Sequence, residues 1–350
     1  FLLAKSSIKR ITSTVIEDVS DDHVLVRKVS LSRIAGSGIK IESTVTVQQN
    51  SVRIESECQK TFSDMVFTRI TGGSDTYAFY VYHSRAIITI DKLMFCYIHL
   101  SQSFAPVYIR DTKYIALLRS CFYRLSAQTY TSFSISHWNE DCNQDVFINQ
   151  TSEASTGEGT TLASQLYRCR KSFTYISNNM SHISISDGHS GITLGPVPDG
   201  SCAVTMSQVV CNEIGTCFYS FQQTYAVSIS SINFVNNTSK PPFGFFGNNR
   251  SNDCKLIKCC LNIPEGIVWF GSMYVASCKI SFEDSVLTGY LPPQHSNVDT
   301  SSLRSVDTLS TVRVGRIKEG ICRNGSYSFS AGITLFIGPL TVTSAITLLT

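Results

Sequence analysis

Charge is scarce in this sequence: 29 Lys and Arg stand against 26 Asp and Glu in 350 residues, 16% of the chain, for a net charge of +3. The basic residues are scattered, the densest group being Arg313, Arg316 and Lys318. No basic stripe is visible that would track a phosphate backbone, so nucleic acid is excluded as an expected partner. Helix signals are also lacking. Capping boxes leading into three-to-four spaced apolar residues are missing, so helices are not expected to carry the fold. Among only seven His no Ser, His and Asp set stands out, and no glycine-rich phosphate loop links a strand to a helix. What the chain does not lack is apolar material: 43% hydrophobic residues supply a large core and exclude a disordered chain.

The polar remainder is small and uncharged. Ser and Thr together number 81, and they alternate with Ile, Val, Phe and Tyr in runs such as Ser184-Ile185-Ser186 and Val227-Ser228-Ile229-Ser230. Alternation with period two and β-branched or aromatic residues is strand composition, and the expected class is all-β.

A repeat emerges when the chain is laid out in coils of roughly 21 to 27 residues. Residues 93–98 read LMFCYI and residues 120–125 read SCFYRL, which places Phe95 and Phe122 one coil apart. Upstream, Tyr80-Val81-Tyr82 and Val107-Tyr108-Ile109 are offset by the same 27 residues. Later, Phe234, Leu261 and Phe282 are read as equivalent, with Phe243–Phe246 and Val268–Phe270 as the other strand between them. Val146-Phe147-Ile148, Phe173-Thr174-Tyr175-Ile176 and Cys217-Phe218-Tyr219 are read as earlier members. Such periodicity predicts a stacked array in which no coil buries its inward side chains until a neighbour covers them. The expected architecture is a single-stranded parallel β-helix, a solenoid of roughly 12 coils and about 58 Å at the inter-strand spacing of about 4.8 Å. Turn signals at Asn178-Asn179, Pro198-Asp199-Gly200, Asn236-Asn237 and Gly247-Asn248-Asn249 suit corners that need positive φ. The expected organisation is an N-terminal cap or processed start over 1–24 and the β-helix over 25–285. A Ser/Thr/Pro-rich strap or linker over 286–312 and C-terminal strands, cap or apolar anchor over 313–350 follow. Residues 151–163 read as a projecting loop.

The aromatic, Cys and Asn residues at coil ends, in SCFYRL at 120–125, INFVNNTS at 232–239 and KISFEDS at 279–285, resemble the pectate-lyase-like β-helix superfamily. Within it they resemble the adhesin-like, polymorphic outer-membrane-protein-like surface proteins of parasitic protists. The resemblance covers about residues 25–285. It implies architecture and a surface location rather than an activity. Together with the general chirality of parallel crossovers, it implies a right-handed coil.

Candidate chemistry is sparse. The 13 cysteines lack paired zinc spacing; Cys254, Cys259 and Cys260 come closest and have no His nearby, so no metal site is expected. Cys96, Cys121, Cys217, Cys260 and Cys278 sit beside repeated strand positions and read as small apolar packing residues. Cys211–Cys217 and Cys254–Cys259 are conceivable disulfides. Glycosylation sequons occur at Asn149, Asn179, Asn236, Asn237, Asn249 and Asn324, mostly at expected coil corners, and point to a secreted or cell-surface glycoprotein. A catalytic alternative, a polysaccharide lyase or glycoside hydrolase, needs carboxylates converging on one face. The available residues are Asp141, Asp145, Asp187, Asp253, Glu283 and Asp284, with His189 close to Asp187; His137 and His182 sit in expected strands. Tyr327–Thr350 carries no charge, and the apolar run 333–350 is open between a last pair of strands and a membrane tether. The chain begins at Phe1 without a methionine and reads as a fragment or a processed product. The leading expectation is a noncatalytic extracellular solenoid without cofactor, acting as an adhesin-like or structural surface component. Its expected partners are other subunits, including copies in a homo-oligomer or filament, or cell-surface glycans.

Overall fold

The computed structural model describes separate stretches between Leu2 and Asp307, the longest being 58–74, 86–101, 105–136, 172–181, 227–235, 253–263, 279–289 and 298–307. Every structural statement below concerns the described residues. They form 36 short strands, all in parallel pairs, and the class is an all-β parallel solenoid. Successive coils lay their strands into three walls. The first wall is a 12-stranded sheet, the second a 13-stranded sheet and the third a 9-stranded sheet. Neighbours within a wall are one coil apart in sequence, as in 86–91 on 58–63, or 94–100 on 66–68. About four turns, within residues 24–136, are described on all three walls together with side chains from each turn.

Alternation decides what enters the tube. In Ala86–Asp91 every second residue is buried, and Ala86, Ile88 and Ile90 join one continuous core with Phe62, Phe67, Phe79, Phe95, Phe122 and Phe133. Like residues stack coil on coil: Phe67 on Phe95 at 4.6 Å between ring centroids, and Phe95 on Phe122 at 5.3 Å with planes 8° apart. Parallel register imposes this, since each inward position meets its equivalent one strand spacing away. Gly38 marks a close approach: a Cβ there would lie 2.5 Å from the Ala78 carbonyl oxygen. Lys60 lies fully buried at an inward position in register with Val24 and Ile88, a placement that composition does not foretell.

Several expectations need correction. Two strands per coil are expected from the spacing and three walls are found. Phe234 and Leu261 are in register as expected, but Leu261 is followed by Leu287, while Phe282 pairs with Leu256 in the first wall. Val146–Ile148 and Phe173–Ile176 pair with each other in the first wall, and Phe218 belongs to the third. The aromatic run had merged separate walls because inward positions of all three carry the same residue types. Tyr80 pairs with Tyr108, an offset of 28 rather than 27; with a period of two, that single residue exchanges inside for outside. The solenoid also runs past 25–285: strands at 2–4, 7–9 and 16–18 precede it in register, and Ser285–Gly289, Val298–Asp299 and Leu303–Ser305 continue the walls where a strap was expected.

The corners are the largest surprise. Twelve non-glycine residues have φ between 47° and 56°, and none of them is Asn. The corner from first to second wall carries Asp64, Lys92, Arg119, Ser177, Ser231, Lys258 and Asp284 in this left-handed conformation. Its amides are satisfied by the next coil: Asp64 N donates to Asp91 O at 3.0 Å, and Lys258 N to Glu283 O at 2.8 Å. The residue after each turns inward. There Ser120 Oγ accepts from Leu93 N, and Ser285 Oγ accepts from Cys259 N at 3.0 Å. Asn178 Nδ2 donates to Ile148 O.

Candidate functional site: an exposed arginine and tyrosine column

A second left-handed corner bends the second wall itself. Arg33, Arg69, Tyr97 and Arg124 have φ of 55°, 56°, 56° and 53°. Register places them one above another: Ser32 pairs with Thr68, Thr68 with Cys96, and Cys96 with Tyr123, each the residue just before its member of the column. Arg33 N donates to Thr68 O and Arg69 N to Cys96 O, both at 3.1 Å, so the corner backbone is satisfied by the following coil. The outward turn leaves all four side chains exposed, Tyr97 at 42%. Three intervals of about 4.8 Å give the column a length of about 14 Å.

The two corners differ in charge. On the first, Asp64 carries Arg27 at 3.6 Å and Lys92 at 3.8 Å, and Arg119 makes a two-pronged contact to Asp91, with Nε at 2.7 Å from Oδ1. Positive and negative charges there answer one another. The charged residues of the second corner are arginines only, Arg33, Arg69 and Arg124. Among the described residues no carboxylate pairs with Arg33, Arg69 or Arg124; Arg124 instead lies over Tyr97 at 5.6 Å and over Tyr123 at 5.4 Å from the ring centroids. Cation–π contact of this kind holds a guanidinium in place without neutralising it. Tyr97 and Tyr123 meet edge to face at 5.6 Å.

Beneath Arg124, outside the tube, Met94, Cys96, Cys121 and Tyr123 form a separate buried apolar cluster with Val66 against it. Cys121 is disulfide-bonded, which corrects its reading as a plain packing residue. Cys254 and Cys259 are not disulfide-bonded, so the pairing considered between them is not made; Cys211 and Cys217 lie outside the described residues. Burial pushes the thiols of Cys96 and Cys259 up to about 12.

No family model, curated protein or solved structure matches the chain. The comparisons thus lend no support to the resemblance to the pectate-lyase-like superfamily, and what the structure shows is a parallel β-solenoid.

The carboxylates weighed for catalysis are not gathered among the described residues. Glu283 and Asp284 are exposed neighbours at a corner, with Lys255 Nζ 3.1 Å from Glu283 Oε1. Asp253 opens a strand whose far end, Ile257, is the residue in register with Glu283. Asp145 opens another strand, several coils away in the same wall. Asp141, Asp187, His189, His137 and His182 lie outside the described residues. No cluster of three potential metal ligands occurs among the described residues. Asn149 closes one strand and Asn179 opens another; Asn236, Asn237, Asn249 and Asn324, like the apolar run 333–350, are outside the described residues. No helix among the described residues is long and apolar enough to cross a membrane.

The arginine column escaped the sequence reading, which saw scattered basic residues. Its signal was present in the offsets 69 to 97 to 124, which are coil lengths, but the first step, 33 to 69, is lengthened by the stretch 43–57. Without register, Arg33 and Arg69 have no reason to be neighbours.

Proposed function

We propose that the chain is a noncatalytic, secreted or cell-surface β-solenoid, adhesin-like or structural, that presents ligand-contacting columns on a rigid stack. The observation that carries this reading is the exposed column Arg33, Arg69, Tyr97 and Arg124, set at strand spacing above a continuous aromatic core. A rigid scaffold lets several contacts form without ordering loops on binding, which lowers the entropy lost on association. The sequons and the disulfide at Cys121 support an oxidising, extracellular setting. In its full form the reading is a right-handed solenoid of roughly 12 coils of pectate-lyase-like architecture, supported by the 12 strands of the first wall and the handedness of parallel crossovers. Cell-surface glycans or further subunits are its partners.

Mass mapping of protein from its native source, before and after glycosidase treatment, tests the location. Occupancy at Asn149, Asn179, Asn236, Asn237, Asn249 or Asn324 is expected. Uniformly bare sequons together with a reduced Cys121 would remove the extracellular reading.

A further inference from the structure

We infer that the column Arg33, Arg69, Tyr97 and Arg124 is a binding site for a linear sulfated glycan. The inference rests on the extracellular reading above, since that setting selects a glycan among polyanions. Three guanidinium groups in one row, with no carboxylate partner among the described residues, leave positive charge that only an external anion answers. On the other left-handed corner cations meet carboxylates, Arg27 and Lys92 at Asp64 and Arg119 at Asp91, and among its described cations Lys258 alone has no such contact. The unbalanced column is thus a local property and not the general habit of the fold.

The backbone supplies a second argument. Left-handed φ disfavours residues other than Gly and Asn by about 1–2 kcal/mol each. On the first corner, ion pairs offset part of that cost for Asp64, Lys92 and Arg119; on the second, Arg33 and Arg69 have, among the described residues, only their backbone bonds to the following coil. Long cationic side chains held at a strained position in three of four successive coils point to a role outside the fold.

Geometry selects the ligand. The column is straight, about 14 Å long at strand spacing, and one row wide, so it fits an extended chain with anionic groups at regular intervals. All three cations are Arg, whose planar fork donates two parallel hydrogen bonds to one oxyanion. Tyr97 stands between Arg69 and Arg124, one coil from each, and offers an apolar edge to a sugar ring while sulfate groups, carried out from the ring on ester oxygens, reach the arginines on either side. Arg124, held over Tyr97 and Tyr123, loses less side-chain freedom on binding than a free arginine would.

The test measures affinity of the full chain for a heparin-type sulfated polysaccharide, the same polymer after desulfation, polygalacturonate and single-stranded DNA, each at two salt concentrations. The sulfated polymer is expected to bind best, more weakly at the higher salt, and the triple variant Arg33→Gln, Arg69→Gln, Arg124→Gln to bind about tenfold or more weakly, as the loss of charge-assisted hydrogen bonds dictates. A control removing three distant positive charges, Lys258→Gln, Lys279→Gln and Arg304→Gln, is expected to bind as the wild type. The single variant Arg69→Asn guards against misfolding, because Asn suits the left-handed corner: its thermal midpoint should hold or rise while affinity falls. Equal binding by the triple variant, an equal loss in the control, or equal or stronger binding of desulfated polymer, polygalacturonate or DNA overturns the assignment. The location test separates the two failures: occupied sequons with no glycan binding sink the ligand alone, whereas binding with bare sequons and a reduced Cys121 leaves the column and removes the surface setting.

Discussion

Single side chains inside the tube act through the coil above or below them, which makes their substitution costs readable. Ser285 Oγ accepts the Cys259 amide at 3.0 Å and lies 3.1 Å from the carbonyl oxygens of Leu256 and Glu283, to one of which it donates. Ser285→Ala removes the acceptor and leaves the buried Cys259 N–H unsatisfied, so denaturant unfolding should show a loss of about 1–3 kcal/mol. Phe95 is the middle of a three-ring stack and is fully buried; Phe95→Ala should cost more, about 3–5 kcal/mol. The buried thiols give a pH signature. Cys96 and Cys259 titrate near 12 in the folded chain against 9 when exposed. Between those values the unfolded chain has released protons that the folded chain retains, so stability is unaffected below about pH 9 and falls as the pH rises from 9 toward 12. Native alkylation at pH 9 should leave both residues unmodified, with labelling appearing only after denaturation; labelling at the rate of an exposed thiol would contradict their burial.

At the scale of strands and corners, the alternation of Ser or Thr with apolar residues announced β-strands, because period two is a property of the strand alone, and the coil-length repeat announced their parallel stacking. Phe95 over Phe122 was legible for the same reason: identical residues recur wherever identical surroundings recur. The number of walls was not legible, since Phe282 and Leu287 are equally suited to an inward position and only hydrogen-bonded register assigns them to different sheets. The corners were misread in residue type. Of the corners expected at Asn178-Asn179, 198–200, 236–237 and 247–249 only the first is described, and there Ser177 takes the left-handed conformation; elsewhere Lys, Arg, Asp, Ser and Tyr take it, because local φ preference is weaker than the demands of the side chain's surroundings. The two first-corner residues Lys258 and Arg119 separate these contributions. Lys258 is exposed at φ 52° with no ion pair among the described residues, so Lys258→Asn should relieve strain and raise stability by about 1 kcal/mol. Arg119→Asn relieves the same strain but loses the contact to Asp91; its net change should be near zero, since a part-exposed pair contributes only about 0–1 kcal/mol. Thermal unfolding of the two variants side by side measures the difference. An equal gain in both would show that the Asp91 contact contributes nothing.

For the molecule as a whole, a solenoid holds each coil only by its neighbours, so coils should be separable units in a way that segments of a globular core are not. Register defines the unit here: Met94 pairs with Cys121, an offset of 27, which the hydrogen bonds from Leu93 N to Ser120 Oγ and between His99 and Ser126 repeat. Excision of residues 94–120 joins Leu93 to Cys121 and sets each later strand on the wall that its predecessor occupied. Phe122 then falls on Phe67 as Phe95 did, and Tyr123 follows Thr68 as Cys96 did. The shortened chain should retain its β-sheet circular dichroism and cooperative unfolding, with a lower stability because one coil interface is gone. Excision of 26 residues, 94–119, sets Ser120 where Met94 stood and reverses every inward and outward position of that strand. Phe122 would then point to solvent, and the protein should aggregate or lose its cooperative transition. The arginine column would follow the same rule: the 27-residue excision removes Tyr97 and brings Arg124 directly onto Arg69, so glycan affinity should survive if the guanidinium row is what binds, and fall if the tyrosine between them is indispensable. Equal tolerance of both excisions would mean that residue-level register does not govern this fold.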